Sequence, residues 1–187
     1  MNKLSSRIHE YIESCQENTI IEIGFLYSEK FSGESEYAFA KAVERITKSG
    51  HLVQITRGMY YKPRYTHYGA VPITDSAIAD FYMRDGHGIA IGYKLYNEKG
   101  LTTQVGKYID ILSDSLRGER KQARNVKVTK STVRLSPSNI PVVETMEILQ
   151  NYRNIEDLNL KAFASYMENF AAIYSEKATH EVLHNRK

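Results

Sequence analysis

Near its C-terminal end the chain carries His180-Glu181-Val182-Leu183-His184, an H-E-x-x-H spacing. On a helix this spacing sets two imidazoles one turn apart on one face with a carboxylate beside them. These are the ligands and general base of a zinc hydrolase. A catalytic zinc takes three protein ligands, and only Asn185, Arg186 and Lys187 follow His184. The expectation is therefore a solvated helix end, with no metal site and no zinc catalysis. His87, between Gly86 and Gly88, could act as a base, but nothing in the sequence marks a carboxylate as its partner. Asp75, Asp80 and Asp85 recur every five residues, a period that does not hold one helical face. There is no P-loop and no G-x-S-x-G nucleophile elbow. These residues lead to the expectation of a protein that is not an enzyme and uses no cofactor.

The other chemistry on offer is cationic. Tyr37, Lys41, Glu44, Arg45 and Lys48 share one face of a stretch whose opposite face is Phe39, Ala42, Val43 and Ile46. The apolar set follows the i, i+3, i+4, i+7 pattern, so a helix over about 35–49 is expected, stopped by Gly50. Two cations at mid-helix, a third in the last turn and an aromatic suit phosphate contact and entry into a DNA groove. A plain solvated face would carry lysines too. What precedes and follows this helix favours the DNA reading. Leu4, Ile8, Tyr11, Ile12 and Cys15 recur at helical spacing, with Ser5 or Ser6 as a cap. Ile20–Tyr27 reads as a brief strand entering a short helix that ends near Lys30. Two strand-like runs, Leu52–Ile55 and Met59–Tyr61, flank Thr56-Arg57-Gly58, with Gly58 supplying the turn. Helix, strand, two helices and a hairpin make a winged helix-turn-helix, a fold that places one helix in a DNA groove. Arg57 then sits at the wing tip, and Lys62 and Arg64 follow as further DNA-facing cations.

From Pro63 to Pro72 the chain reads as a linker. Beyond it we expect helices over Thr74–Met83 and Gly92–Glu98, and strands at Ile89–Ile91, Tyr108–Leu112, Asn125–Thr129 and Thr132–Leu135. The positive charge is concentrated here: residues 99–135 hold nine lysines and arginines against three acidic residues, in a chain of net charge +3. The densest part, Arg117 to Arg124, is expected to be a loop. Its Arg120, Lys121 and Arg124 either clamp phosphates or meet an acidic protein surface, or are simply solvated. A short helix over Val142–Tyr152 precedes a last helix striped by Leu160, Phe163, Ala164, Met167, Phe170, Ala171 and Tyr174, which is expected to pack on the sheet of residues 89–135. The fold class expected is α+β: a winged helix-turn-helix over 1–64, then a mixed α/β domain over 65–187 with a helical C-terminal tail. The N-terminal residues lack the apolar core of a signal peptide and no run is long enough to span a membrane. The expectation is a cytoplasmic protein without membrane association. Cys15 is expected to be a small core residue.

Two segments resemble the AbiEi-type antitoxin family of bacterial abortive-infection, or type IV toxin–antitoxin, systems. Ala42-Val43-Glu44-Arg45-Ile46-Thr47-Lys48-Ser49-Gly50-His51-Leu52, followed by Ile55-Thr56-Arg57-Gly58-Met59-Tyr60, is similar to that family's winged helix and its R-G-x-Y wing exit. Tyr96-Asn97-Glu98-Lys99-Gly100-Leu101-Thr102-Thr103-Gln104-Val105 is similar to the G-L-[ST]-T-Q-V segment of its antitoxin domain. The resemblance covers residues 4 to 135 and departs from the pattern at Gly106, where proline is usual. It implies a phage-defence antitoxin that binds double-stranded DNA at its own promoter, represses its own operon and antagonises a nucleotidyltransferase toxin. It also implies a partner-facing region shaped by Asn97, Thr102, Thr103 and Gln104, with Arg120, Lys121 and Arg124 as electrostatic helpers. Two alternatives stand beside it: a stand-alone winged-helix regulator whose second part binds a ligand or dimerises, and the zinc hydrolase.

Overall fold

A computed structural model describes residues 3–185. The chain divides into two compact units, Met1–Thr74 and Asp75–Lys187. The fold is α+β in class.

In the first unit, α1 (Lys3–Ser14) is followed by β1 (Ile20–Glu22), then α2 (Ile23–Leu26), which runs on into a π-helical turn over Tyr27–Phe31. Next come α3 (Glu36–Lys48), β2 (Val53–Thr56) and β3 (Met59–Tyr61). β3 lies between β1 and β2 in a three-stranded antiparallel sheet. The order is helix, strand, helix, helix and hairpin. The cause is local and legible. Ser35 caps α3 by accepting from the Ala38 backbone N–H, worth about 1 kcal/mol. Gly50 stops the helix at φ +86° and Gly58 turns the hairpin at φ +75°, conformations that glycine adopts without a Cβ clash. The core is the apolar stripe of α1 (Leu4, Ile8, Ile12) against that of α3 (Phe39, Ala42, Val43, Ile46), closed by Ile21, Leu26, Phe31 and Leu52. Ile8, Ile12, Leu52 and Met59 are fully buried, each contributing about 1.5–3 kcal/mol. Cys15 packs partly buried against this core.

Residues 63–72, expected as a linker, belong to the first unit. They form a two-stranded hairpin, β4 (Tyr65–Thr66) with β5 (Gly69–Ala70). The Tyr65 hydroxyl donates to the Gly50 carbonyl at 2.9 Å and Tyr61 donates to the Val71 carbonyl at 3.1 Å. The boundary expected at 64/65 thus lies ten residues before the division between the compact units.

The second unit begins with α4 (Asp75–Met83), a 3₁₀ turn over Arg84–Gly86, β6 (Gly88–Ile91) and α5 (Gly92–Glu98). It continues with β7 (Ile109–Ser113), β8 (Arg120–Ala123), β9 (Val126–Lys130), α6 (Ile140–Asn151), α7 (Leu160–Ala172) and α8 (Glu176–His184). The sheet order is β6-β7-β9-β8, with β7 and β9 parallel and the other pairs antiparallel. Strand alternation gives the sheet two faces. One carries Ala90, Ile111, Val128, Val126 and Ala123 under α4, whose Ile78, Ala79 and Tyr82 are buried. The other carries Ile89, Ile91 and Leu112 beneath Val142 and Val143 of α6 and Ala178 and Val182 of α8. Gly88 is required by close approach: a Cβ there would stand 2.2 Å from the Tyr82 carbonyl oxygen.

Three expectations are corrected. Arg117–Arg124 is not all loop, because Arg120–Ala123 forms edge strand β8 on β9; its charges blunt an exposed edge. Thr132–Leu135 is not a strand. Its alternation is real, since Val133 and Leu135 are buried, but the backbone bonds elsewhere: Ser131 Oγ and Asp114 Oδ2 accept from the Val133 and Leu135 N–H groups. The stripe of α7 packs mainly on helices. Phe163 joins Leu95 and Tyr96 of α5 and Ile148 of α6, Phe170 alone joins the cluster containing Ile89, and no α7 residue is fully buried.

Candidate functional site

Tyr37, Lys41, Arg45 and Lys48 lie on the exposed side of α3, opposite its buried stripe. Tyr37 is 74% exposed. Glu44 stands among the cations: its two carboxylate oxygens take Lys41 Nζ at 2.9 Å and Lys48 Nζ at 2.8 Å. These hydrogen bonds, Lys48 first and then Lys41, hold the Glu44 carboxyl down to about 2. Among the described residues no hydrogen bond or ion pair engages the side chain of Arg45, Arg57 or Arg64, and all three are exposed. Arg57 is at the turn of the β2–β3 hairpin, and between α3 and that hairpin runs a shallow cleft of about 280 Å³ lined by Glu44, Thr47, Lys48, Gln54 and Tyr60 among others. The arrangement is a cationic helix face beside a hairpin with an arginine at its tip, separated by a groove.

Lys62, grouped from sequence with the DNA-facing cations, is turned inward. Its ammonium donates to the Glu13 and Cys15 carbonyls at 2.8 and 3.1 Å and meets Glu13 Oε2 at 3.3 Å, leaving the side chain 15% exposed. It caps the open carbonyls at the end of α1, where a cation is favoured. The Glu13 carboxyl is held below the usual carboxylate range by hydrogen bonds from His51 and Lys62.

In the second unit the G-L-T-T-Q segment is largely committed to its own fold. Gly100, at φ +69°, ends α5. Asn97 Nδ2 donates to the Tyr93 carbonyl at 2.8 Å and to the Gln104 carbonyl. Thr102 is buried, donating to the Glu156 carbonyl at 2.7 Å and accepting from the Gln104 N–H at 3.1 Å. The Gln104 side chain reaches Asp157. The four residues expected to shape a partner surface therefore divide: Asn97, Thr102 and Gln104 latch α5 to the stretch before α7, and Thr103 is exposed beside Val105, itself 87% exposed. Gly106 packs tightly, since a Cβ there would come within 3.2 Å of Tyr93 Cβ.

The basic residues sit on the β8 side of the sheet. Arg124, at φ +54°, pairs through Nε with Asp75 at 3.3 Å. Lys121 faces α4, its ammonium 6.0 Å from the Tyr82 ring. Arg120 shares the opposite face with Gln122, Lys127 and Thr129 by strand register, and Lys127 lies over the Tyr108 ring at 3.5 Å.

Sequence reading missed one constellation. His87 Nδ1 is 2.8 Å from Asp114 Oδ1, and Asp114 Oδ2 accepts the Leu135 N–H at 2.7 Å. They line a cleft of about 370 Å³ with Ser115, Ser131, Thr132 and Arg134, beyond the carboxyl ends of the parallel pair β7 and β9. The carboxylate comes from 27 residues away and is brought in by the β6–β7 pairing, so no local spacing could announce it. His180 and His184 stack with ring centroids 5.9 Å apart on the exposed side of α8, while Glu181 accepts from the Asn139 side chain at 3.4 Å.

Residues 7–165 match a protein family described as "Family of unknown function (DUF6088)". The chain belongs to this family. The DUF6088 match runs from α1 into α7, taking in α3, the hairpin, the G-L-T-T-Q latch and the His87–Asp114 cleft, and the His180 motif lies outside it. No curated protein matches the chain. No helix among the described residues is long and apolar enough to cross a membrane.

Proposed function

We propose that the chain is a DNA-binding transcriptional regulator acting as the antitoxin of a type IV toxin–antitoxin system. It represses its own operon through the first unit and antagonises a nucleotidyltransferase toxin through the second, with no catalysis of its own. The observation that carries the DNA half is the juxtaposition of Tyr37, Lys41, Arg45 and Lys48 on α3 with Arg57 at the hairpin tip. A helix face of this kind enters a major groove and a wing arginine reaches phosphate or minor groove. The toxin half rests on the resemblance of Tyr96–Val105 to the antitoxin-family segment, in which Asn97, Thr103 and Val105 are among the exposed residues. Arg120 and Lys127 supply positive charge at the β8–β9 side of the sheet, on the face they share with Gln122 and Thr129.

A reporter driven by the protein's own promoter tests the first half. Repression is expected, and it is expected to fail with Lys41→Ala and Arg45→Ala combined. Co-expression with an adjacent nucleotidyltransferase gene tests the second: growth arrest should be relieved. A neighbouring gene of any other kind, together with unrelieved arrest, would remove the antitoxin reading. The His87–Asp114–Arg134 cleft favours one second reading, a winged-helix regulator whose second unit binds a small anionic ligand. Its cytoplasmic location follows from either reading.

A further inference from the structure

Three elements of the first unit meet at a group of side chains that the DNA-binding reading does not use. His9 and Glu13 are one turn apart on α1 and so share a face. His51 follows the stop of α3, and Lys62 follows β3. The ligand-type atoms of His9, Glu13 and His51 all lie within 4.8 Å of one another. Glu13 Oε1 stands 2.9 Å from His51 Nδ1 and 3.8 Å from His9 Nε2, and the two imidazoles meet edge to face at 4.4 Å.

A tetrahedral zinc with ligands at about 2.0–2.1 Å sets its ligand atoms roughly 3.3 Å apart. The contacts to Glu13 bracket that separation, so side-chain rotations alone could close the set. Two imidazoles and one carboxylate are a donor set suited to zinc and its first-row neighbours rather than to calcium or magnesium. All three side chains are partly exposed, which admits the ion and leaves a fourth position to water. Lys62 is the competing cation, but it keeps the Glu13 and Cys15 carbonyls when it gives up the carboxylate.

We propose that His9, Glu13 and His51 form a divalent transition-metal site, best fitted to zinc, that clasps the end of α1 to the exit of α3. The proposal is independent of what the α3 face binds. The test is equilibrium dialysis of the full chain, made without a histidine tag, against micromolar zinc, with metal quantified per chain. Cobalt substitution, read by visible absorption, reports tetrahedral geometry. One zinc per chain is expected. It should weaken at least tenfold in His51→Ala and in His9→Gln, and survive in the His180→Ala/His184→Ala variant. Circular dichroism checks that each variant is folded; as His51 is exposed, His51→Ala carries the test should His9→Gln misfold. Uptake only at millimolar zinc, uptake unchanged by the His9 and His51 substitutions, or uptake lost only in the His180/His184 variant would each overturn the site.

Discussion

Glu44 decides how much charge the α3 face presents. It pairs with Lys41 and Lys48 at once, at i−3 and i+4, and its side chain is exposed, so the pairs contribute little to stability. Under the proposed function their consequence is for binding: DNA would have to compete with a carboxylate for both ammonium groups. Glu44→Gln frees them, and non-specific DNA affinity should rise with a steeper dependence on salt. Unchanged affinity and slope would mean that Lys41 and Lys48 do not contact phosphate. Glu13 behaves in the same sense. Its carboxyl is lowered by His51 and Lys62, so the stabilisation it gives is full above the ordinary carboxylate range and is lost as pH falls through the lowered value. His51→Ala should move the Glu13 midpoint upward in an NMR carboxyl titration. A midpoint that stays where it was would show that Lys62 alone holds it.

At the scale of elements, the G-L-T-T-Q segment is a latch. Thr102 Oγ1 is buried between the Glu156 carbonyl and the Gln104 N–H. Thr102→Val keeps the shape and removes both bonds, which should cost about 1–3 kcal/mol, read as a lower denaturant midpoint at constant m-value. Thr103→Val, at an exposed position, should be near neutral in stability. Equal effects at the two positions would contradict the latch. The same segment shows what the sequence could and could not reveal. Elements governed by local physics were legible: α3 with its Gly50 stop and two-sided pattern, the hairpin turning at Gly58, and α5 closing at Gly100. Where the outcome depends on distant partners, local patterns mislead. Val133 and Leu135 alternate like a strand but find no ladder. Arg120–Ala123 look like a loop and become an edge strand because Val126–Lys130 is there to pair with. Lys62 is drawn inward by the carbonyls of α1, and Asp114 reaches His87 only through sheet pairing.

For the whole molecule, the proposed function divides two jobs between two units with separate cores. Because Tyr65 and Val71 are bonded into the first unit, the productive cut is after Thr74 rather than after Arg64. Residues 75–187 should fold alone, judged by a cooperative unfolding transition, and should neutralise the toxin without binding DNA. A folded fragment that never rescues growth where the full chain does would show the two jobs to be inseparable. The central claim is that α3 and the hairpin tip hold DNA. The most direct measurement is the affinity of the full chain for its own promoter across a salt series, set beside the Arg45→Ala and Arg57→Ala variants. Arg45→Ala is expected to lose about 1–3 kcal/mol if it reads a base. Arg57→Ala is expected to make the log–log salt slope shallower by about one unit. Parental affinity and parental slope in both variants would contradict the claim.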